Sequence, residues 1–299
     1  MEVVSLKFEV TVGICARNGE KTIRATIESI EDQVFPKQAM EIIFVDDGST
    51  DGTLNVIKDF CSKTEIRTKT FSQSWKGLGA IRNIVINNAE GRYVMWVDSD
   101  MRLEKEYVKK HVELMDQKPN VGVAKARYFL SQSSKYVSQL EASSRVGLLN
   151  DSQLLIGTGG SMFRVRAIKE AGGFDEHITG AGEDIEALAR MFKNGWSFEF
   201  VDTTSYEYFK DNWKDLWRQY YWYGYGVHYV RHKHKNLLSL IVHLPPIAFA
   251  SGIRHFLISF KLHKKTIDLL LPPYEVFRNC AWLFGFLASH HNRFGHRKR

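Results

Sequence analysis

Cysteine is scarce in this chain: Cys15, Cys61 and Cys280 are the only three in 299 residues. An odd, widely spaced set gives no disulfide framework and no zinc pattern, and it fits a reducing compartment. No export signal is expected either, because residues 1–10 alternate charged with apolar side chains and lack an apolar core. Long apolar runs are absent as well. Leu237–Ile253 is broken by His243, Pro245 and Pro246, and Val276–Ala288 holds Arg278 and Asn279. Neither is a clean stretch of the ~20 apolar residues a spanning helix needs. No Ser/His/Asp or Cys/His set suggests covalent catalysis. With 44% hydrophobic and 25% charged residues, the chain is globular, neither disordered nor a multispan membrane protein. Its length suffices for one large or two modest domains with a sizeable core.

Charge is unevenly placed. From Ser205 to Arg299 there are 15 Lys+Arg against 5 Asp+Glu, a net of +10, while the first 204 residues carry 26 against 29, a net of −3. Nine of the 11 histidines also lie in that last third. A near-neutral body with a basic tail points to two jobs and to an anionic partner for the tail, membrane lipid or nucleic acid.

The first half alternates short apolar strands with amphipathic helices. Val10–Ile14 is a β-branched strand, followed by the turn Arg17-Asn18-Gly19. Ile23, Ile27, Ile30 and Val34 then recur at helical spacing, with Asn18 as the expected cap. Glu41–Val45 is a second strand, and a helix starts near Leu54. A further helix opens at Gly77-Leu78-Gly79, with Ile81, Ile84 or Val85, and Ala89 inward. Next come a strand over Tyr93–Val97, a helix burying Tyr107, Val108, Val112 and Met115, and a strand over Val121–Ala126. Strand–helix alternation with short turns predicts an α/β fold with parallel strands. Tyr128–Ile156 gives no clear pattern.

Polar residues cluster where the strands end, which is where open α/β sheets bind ligands. Asp46-Asp47-Gly48-Ser49-Thr50-Asp51 follows the second strand. It is either a turn with a helix cap or a set of acceptors for a base N–H and a ribose hydroxyl. Arg82, one turn into its helix, is either a surface cation or a phosphate partner. Asp98-Ser99-Asp100 closes the strand at Val97. Taken as extended chain, its two acids point the same way and can converge on Mg²⁺ or Mn²⁺; taken as a loop, they are solvated. Gly157–Val165 is glycine-rich and allows close backbone approach to a ligand. Glu183 and Asp184 open a helix that continues through Leu188, Met191 and Phe192. There the dipole favours ionised carboxylates, which either complement the helix or serve as a general base.

The tail starts with a dense aromatic cluster, Trp213, Trp217, Tyr220, Tyr221, Trp222, Tyr223 and Tyr225, around Arg218 and Gln219. Such a cluster suits base stacking, a sugar site or a bilayer interface. The apolar stretches beyond it are flanked by Lys261, Lys264, Lys265, Arg293, Arg297, Lys298 and Arg299. Amphipathic helices on an anionic leaflet fit this pattern, and a buried helical subdomain is the competing reading.

Five motifs in order give the chain a resemblance to the family 2 glycosyltransferases, inverting enzymes of GT-A fold. They are Ala16-Arg17-Asn18, Val45–Thr53, Gly79–Asn83, Val97–Asp100 and Gly182-Glu183-Asp184, within a match from about Thr11 to Gly226. The resemblance implies a mixed, mostly parallel sheet flanked by helices over residues 1–210, with a helical, membrane-associated extension over 211–299. It implies nucleotide-sugar binding by Ala16, Arg17, Asn18, Asp46, Asp47, Arg82, Asp98, Ser99, Asp100, Gly159 and Gly160, with Ser161 in the same loop. It implies Mn²⁺ or Mg²⁺ on Asp98 and Asp100, and Asp184 as general base with Glu183 beside it at the acceptor site. The expected partners are a nucleoside diphosphate sugar, a lipid-linked or glycan acceptor and an anionic membrane surface at the cytoplasmic face, with no nucleic acid.

One departure stands out. Processive members of the family usually carry Gln-x-x-Arg-Trp near this point, and many non-processive ones keep Gln-x-x-Arg followed by an aromatic, whereas Gln219-Tyr220-Tyr221-Trp222-Tyr223 puts Trp where the Arg would be. That argues against a processive synthase and leaves Arg218 as a substitute cation. A soluble transferase on a polar glycan or protein, a nucleotidyltransferase and a nucleic-acid-binding protein are the competing functions. The net negative body argues against the last.

Overall fold

The computed structural model describes residues 8–148, 157–178, 181–234 and 240–292. The expectations for residues 1–7, 149–156, 179–180, 235–239 and the terminal basic residues 293–299 lie outside the described residues. The chain divides into two compact units. One comprises Met1–Tyr128, Ile156–Glu176 and Glu186–Tyr206; the other comprises Phe129–Leu155, His177–Ile185 and Glu207–Arg299.

An eight-stranded sheet organises the first unit. Its strands are β1 (Phe8–Ala16), β2 (Met40–Asp46), β3 (Arg67–Ser72), β4 (Gly91–Trp96), β5 (Met101–Leu103), β6 (Val121–Ser131), β7 (Ser161–Arg164) and β8 (Ser197–Glu207). They run in the order β3-β2-β1-β4-β7-β6-β8-β5. β1 is parallel to β2 and β4, and β2 is parallel to β3, whereas β7 is antiparallel to both β4 and β6. The sheet is therefore mixed, with its parallel block on the nucleotide-motif side. The described helices are α1 (Ile23–Glu31), α2 (Thr53–Cys61), α3 (Leu78–Asn88), α4 (Tyr107–Gln117), α5 (Tyr136–Leu148), α6 (Val165–Glu170), α7 (Glu183–Lys193), α8 (Trp213–Lys233), α9 (Pro245–His263) and α10 (Leu271–His291).

Apolar periodicity places these elements. Ile23, Ile27 and Ile30 of α1 are buried, as are Tyr107, Val108, Val112 and Met115 of α4. Trp96 packs edge-on against Phe163 and Phe174, with ring centroids 6.2 and 5.6 Å apart. Two sequence expectations need correcting, and the break the sequence shows at Pro245 and Pro246 is a helix start. Val34 is exposed: α1 ends at Glu31 because the Gln33 side chain turns inward, donating to the Ser29 and Glu104 carbonyls and accepting from Val108 N. Asn18 is not the cap of α1; Thr22 holds that position, and Asn18 sits in the turn with φ 52°. Pro245 and Pro246 open α9, where the missing N–H groups have no intrahelical partner anyway. The polar edge strand β3 and the three-residue β5 carry too little apolar pattern to be read from sequence.

In the second unit α8 and α10 approach at glycines. A Cβ on Gly224 would overlap the Trp282 carbonyl, and one on Gly285 would overlap the Tyr221 carbonyl. The interior combines an apolar cluster of Val137, Leu140, Leu216, Leu271 and Tyr274 with charged groups. Glu141 accepts from Arg145 Nε at 3.0 Å and from Tyr220 and Tyr274 hydroxyls. Glu275 meets Arg278 Nε at 2.6 Å, His255 Nδ1 at 2.9 Å and Ser144 Oγ at 2.6 Å. Burial raises the Glu141 and Glu275 pKa values, but neighbouring charges, above all Arg145 at Glu141 and Arg278 at Glu275, outweigh it and hold both carboxyls below their usual range. Paired in this way, the buried charges avoid the cost of standing alone.

His111 makes the fold acid-sensitive. It is buried on α4, stacks on Tyr107 and donates Nδ1–H to the Tyr107 carbonyl at 2.8 Å. Burial pushes its pKa from 6.5 down to about 4. Between those values the unfolded chain binds a proton that the folded chain refuses, so stability falls as pH drops through that window and levels off below it. Denaturant melts should lose ~3 kcal/mol per such histidine. His111→Phe should shrink the loss, leaving the share of His243, which is lowered in the same way to about 4.

Candidate active site

The turn after β1 and the turn after β2 are clamped together. Asn18 N donates to Ser49 Oγ at 2.9 Å, and Asn18 Oδ1 accepts from Thr50 N at 2.8 Å. Gly19 N donates to Thr53 Oγ1 at 2.8 Å, and Glu20 N donates to Asp51 Oδ2 at 3.2 Å. Asp51 also accepts from Thr53 N and Oγ1. Its carboxyl lies below the usual range, chiefly through the Thr53 hydroxyl. Asp51 is thus a clamp between loops, which explains one acid of that turn without a ligand.

Asp46 and Asp47 are both buried at the end of β2 and have different jobs. Asp47 Oδ1 accepts from Lys76 N at 2.9 Å, and Oδ2 accepts from Gly77 N at 3.2 Å, so this acid holds the chain entering α3. Asp46 Oδ2 accepts from Ser49 N at 3.2 Å and Ser72 Oγ at 3.3 Å, while Oδ1 is buried without a partner among the described residues. A buried carboxylate oxygen with no donor is costly unless something else supplies one. Ala16 is buried beside them, its carbonyl accepting from Asp47 N at 2.9 Å. Arg17 is exposed and lies 5.6 Å from the Trp75 ring centroid.

Arg82 is buried on α3 instead of solvated, its guanidinium 5.9 Å from the Trp96 ring centroid and 5.7 Å from that of Phe174. Burial pushes the Cys15 thiol up to about 12; Arg82 opposes this, while Asp98 and Asp47 reinforce it. Those three charges therefore surround the end of β1, bringing together motifs from three places in the sequence.

Asp98-Ser99-Asp100 does not continue the strand. β4 ends at Trp96, and Met101 N donates back to the Asp98 carbonyl at 3.1 Å, closing a turn. Strand alternation therefore does not set the direction of the two acids; the turn does. Ser99 Oγ lies where a Cβ on Gly19 would be only 2.9 Å away. Asp98 lies against Gly159, where any added Cβ would overlap its carboxylate. The loop carrying Gly159 is fixed on three sides. Gly160 N donates to the Trp96 carbonyl at 2.9 Å, Tyr107 hydroxyl to the Gly160 carbonyl at 2.6 Å, and Lys125 Nζ to the Gly157 carbonyl at 2.9 Å. Gly160 has φ 69°, and a side chain there would also meet Tyr107. Ser161 Oγ turns back to the Gly157 carbonyl at 2.9 Å.

No group of three or more His, Cys, Asp or Glu suited to a metal occurs among the described residues. Two half-buried carboxylates in one turn nevertheless fit Mg²⁺ or Mn²⁺. Such ions are commonly held by one or two carboxylates, with substrate phosphates and water completing the shell.

Glu183 and Asp184 open α7, within the second unit's segment His177–Ile185. Gly182 precedes them with φ 113° and packs against Val227 and Val230 of α8. Gly226 of α8 leaves room for Ala181, whose backbone an added Cβ would overlap. Glu183 is buried and Asp184 half-buried. On α8, Gln219 donates to Tyr223 hydroxyl at 2.8 Å, while Arg218 is exposed beside Asp215. Near this stretch buried Arg278 donates to Tyr220 hydroxyl at 3.1 Å, and half-buried Arg145 pairs with Glu141 and Glu207. Sequence reading missed both, along with Lys125 and Tyr107, since nothing in their local pattern distinguishes them from surface or core residues.

The family model described as Glycosyl transferase family 2 matches residues 11–171, and that of Glycosyl transferase family group 2 matches residues 93–289. The poly(ribitol-phosphate) beta-N-acetylglucosaminyltransferase TarS of Staphylococcus aureus is 35% identical over 112 residues, covering 38% of this chain and 19% of TarS. A cholesterol galactosyltransferase of Borreliella burgdorferi is 36% identical over 104 residues, covering 35% of this chain and 28% of that protein. These matches thus span well under half of either relative. Among solved structures, the mannosyltransferase PcManGT of Pyrobaculum calidifontis with GDP-Man and Mn²⁺ superposes with TM-score 0.68 at 14% identity, covering 97% of this chain and 89% of that one. S. aureus TarS 1-349 with UDP gives TM-score 0.56 at 20% identity, covering 98% and 93%. At these identities the likeness concerns the fold.

Gly159→Ala should displace the Asp98 carboxylate and weaken nucleotide binding at this turn by ~10-fold or more, about 1.4 kcal/mol. Calorimetric titration against the unaltered protein checks this; equal affinities would separate Gly159 from the ligand site.

Proposed function

The chain belongs to glycosyl transferase family 2, and on that premise we propose that it moves one sugar from a nucleoside diphosphate sugar to a hydroxyl acceptor, inverting the anomeric carbon. The observation that carries the donor half is Asp46 Oδ1, buried without a partner among the described residues at the end of β2. In this reading it accepts from a nucleotide base. Around it lie Ala16, Arg17 and Asn18 after β1, and Asp47, which fixes the entry to α3 and with it Arg82. Arg82 supplies positive charge toward phosphate. Gly159 and Gly160 keep the space beside Asp98 free of side chains, which lets the donor approach the backbone.

Asp98 and Asp100, with Ser99 between them, supply hard oxygen donors for Mn²⁺ or Mg²⁺, whose chemistry when bound is to offset the charge growing on the departing nucleoside diphosphate. Asp184 takes the proton from the acceptor hydroxyl as that oxygen attacks the anomeric carbon, and Glu183 positions it. The C1–O bond to the acceptor forms as the C1–O bond to the diphosphate breaks, so no enzyme nucleophile is needed.

The acceptor is lipid-linked or a glycan held at an anionic membrane surface, and the protein works at the cytoplasmic face as a peripheral or monotopic protein. The net charge of +10 over residues 205–299 supports this, and so do relatives named for poly(ribitol-phosphate) and cholesterol acceptors.

A panel of nucleotide sugars with Mn²⁺ or Mg²⁺ tests the reaction through released nucleoside diphosphate. Release of pyrophosphate instead would identify nucleotidyl transfer. Asp184→Asn should keep donor binding and lower turnover by ~10²–10⁴-fold; wild-type turnover would remove it as base. Asp100→Ala should abolish metal-stimulated donor hydrolysis while leaving the thermal transition in place, and full activity would discard the metal assignment.

A further inference from the structure

Helices of water-soluble proteins bury their large apolar side chains and expose polar ones. Helix α9 does the reverse. Its buried positions are Ala248, Gly252, His255 and Ser259, which recur at helical spacing on one face. The opposite face presents Phe249 (48% exposed), Ile253 (43%), Leu257 (61%) and Phe260 (40%). The inward positions are committed. His255 Nδ1 pairs with Glu275 Oε1 at 2.9 Å, Ser259 donates to Asp268 Oδ2 at 2.8 Å, and a Cβ on Gly252 would overlap Pro272. Rotating α9 to hide its apolar face would break these contacts and leave Glu275 and Asp268 short of partners.

The neighbouring α10 turns Leu271, Tyr274 and Trp282 inward beside buried Glu275, Arg278 and Asn279, and exposes Phe284 and Leu287 at 58% and 59%. Glycine-mediated approach of α8 and α10 and a hydrogen-bonded interior are also how helices pack where the surroundings are apolar. The exposed face of α9 is bordered by basic residues, Arg254, Lys261, Lys264 and Lys265, all exposed. The sole acid between Leu240 and Leu270 is Asp268, which is fully buried. No described helix is long and apolar enough to cross a membrane.

We propose that the Phe249–Ile253–Leu257–Phe260 face of α9 rests in the acyl region of an anionic leaflet, with the helix axis in the membrane plane and its basic border at the headgroups. This deepens the membrane part of the reading above and rests on it. Charge selects the occupant. A second copy of the chain would bring two basic borders together with no exposed acid on α9 to offset them, whereas anionic headgroups complement them.

The test is sedimentation of the full chain with phosphatidylcholine vesicles and with phosphatidylcholine–phosphatidylglycerol vesicles, at low and high salt. The wild type should bind the mixed vesicles and stay partly bound at high salt, where surface attraction is screened. Leu257→Glu should lower partitioning by ~10-fold or more, and Ile253→Glu likewise, since each removes a large buried apolar side chain from the bound state. Both are exposed in the free protein, so their thermal transitions and donor hydrolysis should match wild type. Lys261→Glu with Lys264→Glu should lose the preference for phosphatidylglycerol and keep the salt-resistant part. Wild-type binding by Leu257→Glu and Ile253→Glu would overturn insertion, and purely salt-sensitive wild-type binding would do the same while leaving peripheral association standing. Failure of the wild type to bind either vesicle would remove both. Loss of a stable dimer in vesicle-free light scattering of Leu257→Glu would reassign the face to contact between copies.

Discussion

Strand β2 is buried along its whole length, from Met40 to Asp46, and β4 is buried from Tyr93 through Trp96. Parallel strands covered in this way have no side free for chemistry, so polar function is confined to the turns at their ends. That constraint governs the first unit. It gathers Asp46, Asp47, Arg82 and Asp98 around the end of β1, although they are spread over more than fifty residues of chain. It also makes the turns themselves matter, because each must satisfy its own backbone while leaving something for a ligand.

The acids at those ends accordingly divide by what is left of their bonding capacity. Asp51 is consumed by the clamp between the first two turns, and Asp47 by the entry to α3. Asp46 retains a buried oxygen. Asp98 depends on a different device, a neighbouring loop whose glycines keep side chains away from its carboxylate. Four acids of one residue type therefore do three kinds of work, and composition cannot sort them.

In the second unit buried ionic groups share the interior with an apolar cluster of Val137, Leu140, Leu216, Leu271 and Tyr274. Glu141, Glu275 and Arg278 sit inside, fully engaged by one another and by tyrosine, serine and histidine partners, while large apolar residues of α9 and α10 face outward. A buried ionic network adds little net stability over an apolar core, but removing one member leaves a stranded charge. Such an interior holds its helices in one register, and that register is what keeps the Phe249–Phe260 face outward.

Much of this was legible in the chain itself. The helical spacing of Ile23, Ile27 and Ile30, and of Tyr107, Val108, Val112 and Met115, named buried faces correctly because amphipathic periodicity is a local property. The ordered motifs likewise named the family, since each is a short run with its own turn chemistry. Interactions set by distant residues were not legible. Val34 left its expected face because Gln33 bonds to Glu104 and Val108, and Asp98 and Asp100 left the strand because a turn closes at Met101. Arg82 could be read as a surface cation or as a phosphate partner, and its place over Trp96 and Phe174 removed the first. The apolar residues of α9 could be counted in the sequence, but their facing outward could not. That direction is set by His255 and Ser259 finding Glu275 and Asp268, contacts that exist only once the helices have packed.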